Sequence, residues 1–162
     1  MTIKREAAFH EAGHAVAAHR SMFHAIVGPI NLAAYDSGEV YVSLSRKKLQ
    51  ANGKVGSAAA GADKGVAADL AVVLAAGLVS ERLATAWEPG LTPMPDYAVP
   101  DHELLRQQLA GAGLPPELKS YEETVAQALQ SDWRLVRALA EYLLRHVSVR
   151  PLDILEFIEG HA

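Results

Sequence analysis

Apolar residues recur with helical spacing along most of the chain, and this pattern predicts a protein built mainly from helices. The first helix is predicted over residues 3–22, where Ala is frequent. Further helices are predicted over 65–86, 101–110, 117–146 and 151–158. Segment 65–86 carries few charges among its Ala, Leu and Val residues, so we expect it to be the most buried helix.

Two stretches between the first two helices favour strands instead. Residues 25–32 form a short β-type run interrupted by Pro29, a residue type confined to the edges of sheets. Residues 39–45 alternate with a period of two and follow turn-forming residues at 35–38. Together they predict a small antiparallel sheet near the N-terminus. Residues 46–64 contain several Gly and Ala, lack periodicity and predict a mobile loop.

The fold class that these elements predict is α+β, mostly α-helical, in one domain over residues 1–162. A chain of this length with 50% hydrophobic residues can bury a core of its own. The formal net charge is −4 and the basic residues are scattered, which argues against a nucleic-acid partner. The longest apolar run, 70–79, falls far short of the roughly 20 residues that a membrane span needs. The N-terminus lacks the pattern of a signal peptide, so we expect a soluble, cytoplasmic protein with no membrane span.

The sequence His-Glu-Ala-Gly-His at residues 10–14 carries the chemistry that we expect of the chain. Since the chain has no cysteine, any metal site must use His, Asp or Glu. Two His residues four apart on a helix lie one turn apart on the same face, so His10 and His14 can reach a single ion. Glu11 lies beside the first of them and can accept a proton from a zinc-activated water. The motif therefore predicts a zinc site with a general base.

A catalytic zinc site with two His ligands requires one more protein ligand. Asp101 opens a predicted helix after a Pro-rich stretch, although an acidic residue there can also serve the helix start. Glu81, near the end of the apolar helix, is the competing candidate, and it could instead pair with Arg82 or Arg20. Less favoured candidates are Asp96, Asp69 and His102. Spacing alone leaves the choice between Asp101 and Glu81 open.

Residues 10–15 read His-Glu-Ala-Gly-His-Ala, and this segment resembles the metal-binding helix in the peptidase domain of the FtsH family of ATP-dependent zinc metalloproteases. Residues 72–83 resemble the family's small-residue-rich helix that ends with a Glu, here Glu81. Asp101, at the head of the next helix, occupies the place of the family's third zinc ligand. The last two helical segments are similar to the last helices of that domain. The resemblance spans nearly the whole chain in the same order.

The resemblance implies a mostly helical zinc metalloendopeptidase domain in which His10, His14 and Asp101 bind Zn²⁺ and Glu11 is the general base. It also implies that Glu81 orients a His ligand from outside the coordination shell. The substrate would be a polypeptide, and the family favours a homo-oligomer. The chain has no Gly-x-x-x-x-Gly-Lys-Ser/Thr loop of an ATPase. We therefore expect a stand-alone peptidase that acts on unfolded or flexible segments, or together with a separate ATPase or adaptor partner.

The alternative function is a binding or adaptor module that retains the zinc site but is catalytically weak or inactive. The missing ATPase module motivates this hypothesis. Glu11 argues against it, because a purely structural zinc site needs no base beside its ligands. Substrate turnover distinguishes the two functions.

Overall fold

The computed structural model of the chain describes residues 4–33, 42–54 and 63–161, and it has an α+β fold that is mostly helical. Its helices in chain order are α1 (Arg5–Arg20), α2 (Arg46–Ala51), α3 (Lys64–Trp87), α4 (Val99–Gly111), α5 (Lys119–Ser131), α6 (Trp133–His146) and α7 (Pro151–His161). Helices α1, α3, α4 and α7 begin and end close to the predicted positions. Over the described ranges, no helix combines the length and apolar character needed to cross a bilayer.

Short antiparallel strand pairs flank the helices. Strand β1 (His24–Ile26) pairs with β3 (Val42–Leu44), which confirms the small antiparallel sheet predicted near the N-terminus. Strand β2 (Ile30–Asn31) pairs with β4 (Ser148–Val149) close to the other end of the chain. The break between β1 and β2 includes Pro29, as expected, whereas β4 was not predicted because two residues are too few to show alternation. The predicted turn at 35–38 and the first residues of the strand predicted over 39–45 lie outside the described residues.

Helix α1 is the most enclosed of the long helices, because it packs against both α3 and α6. Twelve of its 16 residues are buried, compared with 13 of 24 in α3. The prediction that segment 65–86 would be the most buried helix is therefore wrong. The cause lies in the composition of α1, since His10, Glu11 and His14 are polar and yet buried, and their polarity masks the burial of the helix. A helix that buries three ionisable side chains requires partners for them.

Helices α1 and α3 cross closely at Gly13. A Cβ atom at this position would lie 2.4 Å from the Cβ of Ser80 and 2.8 Å from the carbonyl oxygen of Ala76. The Ser80 hydroxyl donates a 2.6 Å hydrogen bond to the carbonyl oxygen of Phe9, which fixes the crossing. The small side chain at 13 thus permits the close backbone approach, and it brings the face of α1 that carries both motif His residues against α3.

The single helix predicted over 117–146 is divided at Asp132 into α5 and α6, and the prediction is wrong at this point. The Asp132 carboxylate accepts two hydrogen bonds of 3.1 Å from the Arg20 guanidinium at the end of α1. Helix α5 packs chiefly on α3, whereas α6 packs on α1. Because the two halves cover different helices, the chain changes direction between them, and the continuous helical pattern of the sequence does not reveal this.

The prediction of a mobile loop over 46–64 is wrong for its first part, where α2 lies. The side chain of Ser45 caps this helix by accepting a hydrogen bond from the Lys48 backbone N–H at 3.2 Å. Leu49 is buried against Phe23 and Val66. The Lys48 ammonium donates to the last carbonyls of α1, including that of Ala18 at 2.8 Å. Residues 55–62 of the predicted loop lie outside the described residues.

Candidate metal centre

Three of the side chains that the sequence singled out meet where α1, α3 and α4 come together. His10 and His14 are buried on α1, and Asp101 reaches them from the first turn of α4. The Nε2 atoms of the two imidazoles lie 3.1 Å apart. The Oδ2 atom of Asp101 lies 3.2 Å from Nε2 of His10 and 3.0 Å from Nε2 of His14. The two Nε2 atoms and Oδ2 of Asp101 are the three candidate metal-binding atoms, and they form a nearly equilateral triangle. We call it the donor triangle.

This triangle has the dimensions that a zinc site requires. Zinc binds His nitrogen and carboxylate oxygen at about 2.0–2.1 Å in tetrahedral geometry, so its ligand atoms stand about 3.3 Å apart. The distances of 3.0, 3.1 and 3.2 Å between the donor atoms are close to that value. Two imidazoles and one carboxylate also match the ligand type of a catalytic site with three protein ligands. The residues present therefore fit the ion.

Hydrogen bonds on the far side of each ring fix its tautomer. The Nδ1 atom of His14 lies 2.7 Å from the carbonyl oxygen of Val73, which can only accept, so His14 carries its proton on Nδ1. The Nδ1 atom of His10 lies 2.7 Å from Oε2 of Glu81. With both Nδ1 atoms engaged as donors, both Nε2 atoms face the shared centre, where an ion can take the place of a proton. Metal-binding imidazoles are commonly oriented in this way.

Gly77 of α3 provides the space for the two rings. A Cβ atom at this position would stand 2.4 Å from Nε2 of His10 and 2.5 Å from Nε2 of His14. No side chain larger than hydrogen fits there without moving an imidazole. The glycine is thus part of the site, although it contributes no ligand atom.

We expect Gly77→Ala to weaken zinc binding while the fold is retained. The added methyl group must displace at least one imidazole from the donor triangle, since both Nε2 atoms lie within 2.5 Å of it. Helix α3 itself is not weakened, because Ala has a higher intrinsic helix propensity than Gly by roughly 1 kcal/mol. Zinc content after dialysis, read beside the far-ultraviolet circular dichroism spectrum, measures both effects.

The matched control is Gly160→Ala in α7, where a new Cβ atom meets nothing within 4 Å. This variant makes the same chemical change in a helix without crowding any side chain, and we expect it to bind zinc like the wild type. Wild-type zinc affinity in Gly77→Ala would show that the imidazoles do not converge on an ion at this place.

Glu81 lies behind His10 rather than at the donor triangle. Its Oε2 atom contacts Nδ1 of His10, and its Oε1 atom accepts a 2.9 Å hydrogen bond from the Met94 backbone N–H. The pairing with Arg82 or Arg20 considered from the sequence is absent from the described residues, because Arg82 and Arg20 bind other carboxylates. The structure therefore places the Asp101 carboxylate beside both Nε2 atoms and the Glu81 carboxylate against Nδ1 of His10, on the far side of that ring.

The remaining candidates do not join the cluster in the described part of the chain. Asp69 receives a 2.6 Å hydrogen bond from Nδ1 of His24, a contact that anchors β1 to α3. Asp96 is exposed in the 3-10 turn before α4. His102 follows Asp101, and its Nε2 atom is buried with no hydrogen-bond partner among the described residues.

Glu11 is a buried carboxylate beside the donor triangle. Its Oε2 atom has no hydrogen-bond partner within the described residues, and the side chain is almost fully enclosed. Burial raises the pKa of Glu11, while the nearby charges of His14 and His10 lower it in part. A buried carboxylate oxygen without a partner is costly unless a ligand or water engages it.

The charges of the cluster favour a cation. Burial alone would lower the pKa of His10, but hydrogen bonds to Asp101 and Glu81 and the charge of Glu11 raise it to about 9. Burial would raise the pKa of Asp101, whereas the charge of His14 and hydrogen bonds from both imidazoles hold it well below its usual range. The carboxylates thus attract positive charge to the imidazoles, and an ion that binds the Nε2 atoms releases a proton from His10.

The sequence did not identify the groups that position the two imidazoles and the Asp101 carboxylate. Gly77, the carbonyl of Val73 and the N–H of Met94 all act through tertiary contacts. The one available signal was Gly77 itself, a glycine inside an otherwise strong helical pattern, which often has a packing or functional reason.

No family model, curated protein or solved structure with which the chain was compared matches it. Three ligand atoms on one triangle and a buried carboxylate beside them can hold a divalent ion and move a proton next to it.

Proposed function

We propose that this chain is a zinc-dependent peptidase in which His10, His14 and Asp101 hold the ion and Glu11 is the general base. The observation that carries the proposal is the buried Oε2 atom of Glu11, which has no hydrogen-bond partner among the described residues and belongs to the residue next to His10. A zinc site that only stabilised the fold would not need a buried carboxylate oxygen without a partner. A general base needs such an oxygen to accept a proton from water.

The division of roles follows from the contacts. When bound, zinc polarises the scissile carbonyl and makes water more acidic, which favours attack near neutral pH. Glu11 takes the proton from the attacking water and delivers it to the amine nitrogen that leaves, so the peptide bond is replaced by a carboxylic acid and an amine. The burial that raises the pKa of Glu11 strengthens it as a base. Glu81 and the carbonyl of Val73 keep both imidazoles turned towards the ion.

Polypeptide is the substrate class that we propose, in an unfolded or flexible form. Support for this comes from the resemblance of residues 10–15 to a peptidase motif and from the ligand set at the site. Cleavage of folded proteins would call for an unfolding partner, such as a separate ATPase or an adaptor.

The proposal is tested by hydrolysis of a dye-quenched unfolded protein. We expect the zinc-loaded chain to cut it, a zinc chelator to reduce cleavage to background, and added Zn²⁺ to restore it. Mass spectrometry of the products identifies the new termini as those of peptide-bond hydrolysis. Background-level turnover by fully zinc-loaded protein would contradict the peptidase and favour the binding or adaptor module, and turnover unaffected by the chelator would contradict the role of the metal.

A further inference from the structure

The Glu81 carboxylate joins two parts of the chain that are far apart in sequence. It is almost completely buried, with 1% of the residue exposed. Its Oε2 atom lies 2.7 Å from Nδ1 of His10, and its Oε1 atom accepts from the Met94 N–H at 2.9 Å. Orienting His10 requires only one of these oxygens. The second contact therefore calls for a separate explanation.

Met94 stands at the start of the unit that delivers Asp101. Its carbonyl accepts a hydrogen bond from the N–H of Tyr97 at 3.1 Å, which closes the 3-10 turn Pro95–Ala98. That turn continues without interruption into α4, and Asp101 lies in the first turn of that helix. The proline on each side of Met94 restricts the backbone further. The position of Met94 therefore determines where the 3-10 turn and α4 begin, and with them the position of the Asp101 carboxylate relative to the imidazoles.

We infer that Glu81 is a positioning residue for two metal ligands at once, His10 through one carboxylate oxygen and Asp101 through Met94 with the other. One buried carboxylate on α3 thus sets the positions of both ligands. The donor triangle, whose sides are 3.0–3.2 Å, would be set by this single carboxylate together with the contact between His14 and Val73. The inference rests on the proposed metal site, and it concerns how that site is assembled.

The substitution Glu81→Gln tests whether both carboxylate oxygens of Glu81 are needed. Both partners of Glu81 are donors, the ring N–H of His10 and the backbone N–H of Met94. A carboxylate accepts from both, whereas an amide has one oxygen acceptor and presents its own N–H groups on the other side. Glu81→Gln keeps the volume of the side chain and can satisfy only one of the two donors. One buried donor then faces another donor, which destabilises that contact.

Glu6 provides the matched control. Its Oε2 atom accepts a 3.1 Å hydrogen bond from the backbone N–H of Thr92, in the same segment as Met94. Glu6→Gln removes the same negative charge, and its amide oxygen can still accept the single hydrogen bond.

Two measurements test the inference, amide hydrogen exchange over residues 94–98 without metal and zinc affinity by competition with a chromophoric chelator. We expect Glu81→Gln to weaken zinc by roughly 10–100-fold, the usual effect of removing a group that orients a ligand. Glu81→Ala removes both acceptor oxygens, and we expect it to weaken zinc and also to speed exchange over this segment. Glu6→Gln should leave both unchanged. Unaltered exchange at Met94 in Glu81→Ala, which removes both acceptor oxygens, in a wild type that binds zinc, would overturn the inference and leave the proposed function standing. A wild type that binds no zinc would contradict the proposed function itself.

A second variant covers the case in which Glu81→Gln does not fold. An ester in place of the peptide bond before Met94 removes that N–H and leaves the side chains of Glu81 and His10 intact. We expect it to weaken zinc binding, and the loss should disappear when Asp101 is also replaced by Asn, because both changes act on the same ligand. Zinc affinity unchanged by the ester would overturn the inference, and so would a loss that adds fully to that of Asp101→Asn.

Discussion

Glu11→Gln should lower peptide hydrolysis by on the order of 10²–10⁴-fold, the usual contribution of a positioned general base, while zinc binding is retained. The amide has nearly the same size as the carboxylate but cannot take a proton from water. Because Glu11 lies outside the donor triangle formed by His10, His14 and Asp101, its replacement removes no ligand. Turnover of the dye-quenched unfolded protein and zinc content, measured on the same preparation, check both parts.

Glu88→Gln is the control for this substitution. Glu88 is another buried glutamate, and its carboxylate pairs with Arg137 at 3.0 Å, away from the metal centre. We expect this variant to cut the substrate at close to the wild-type rate. Wild-type activity in Glu11→Gln would show that Glu11 is not the general base. Loss of zinc from that variant would show that Glu11 binds the ion or orients a residue that does.

The sequence revealed the part of the site that lies within one helical turn. His10, Glu11 and His14 could be assigned together because the geometry of a helix places residues i and i+4 on one face whatever surrounds it. Asp101 could be named from the residues only as one of two candidates, since it reaches the imidazoles through the packing of α4 and not through any local spacing. Glu81 is the other candidate, and only the packing of α3 against α1 separates their positions.

The same distinction explains which elements of the fold were predicted. Helices with a strong period of their own, such as α1 and α3, were found near their actual ends. The division at Asp132 depends on a contact with Arg20, which is 112 residues away in the sequence. Helix α2 depends on Leu49 entering a small cluster with Phe23 and Val66. Both are consequences of tertiary contacts, and the sequence shows no local signal of comparable strength for either.

Asp101→Ala and His14→Ala should each lose zinc, and this loss is the second large effect that we expect. Each removes one corner of the donor triangle, so the effect on affinity should exceed the roughly 10–100-fold that follows from the loss of a supporting residue such as Glu81. Zinc at 100 times its dissociation constant stabilises the wild type by about 2.7 kcal/mol. For a chain of this size that corresponds to a rise in melting temperature of about 5–10 °C, which both ligand variants should lack.

Asp96→Ala is the matched control, because Asp96 is an exposed carboxylate five residues before Asp101 and outside the cluster. We expect it to bind zinc and to be stabilised by zinc like the wild type.

Metal analysis of Glu81→Ala completes the set, since loss of a supporting residue should leave a weakened but measurable zinc site. If Asp101→Ala retained full zinc and Glu81→Ala lost it, the ligand would be Glu81. The carboxylate of Asp101 would then hold the imidazoles only by its hydrogen bonds at 3.2 and 3.0 Å. The geometry favours the opposite result, because Glu81 already uses both of its oxygens on His10 and Met94, and neither of those contacts involves an Nε2 atom.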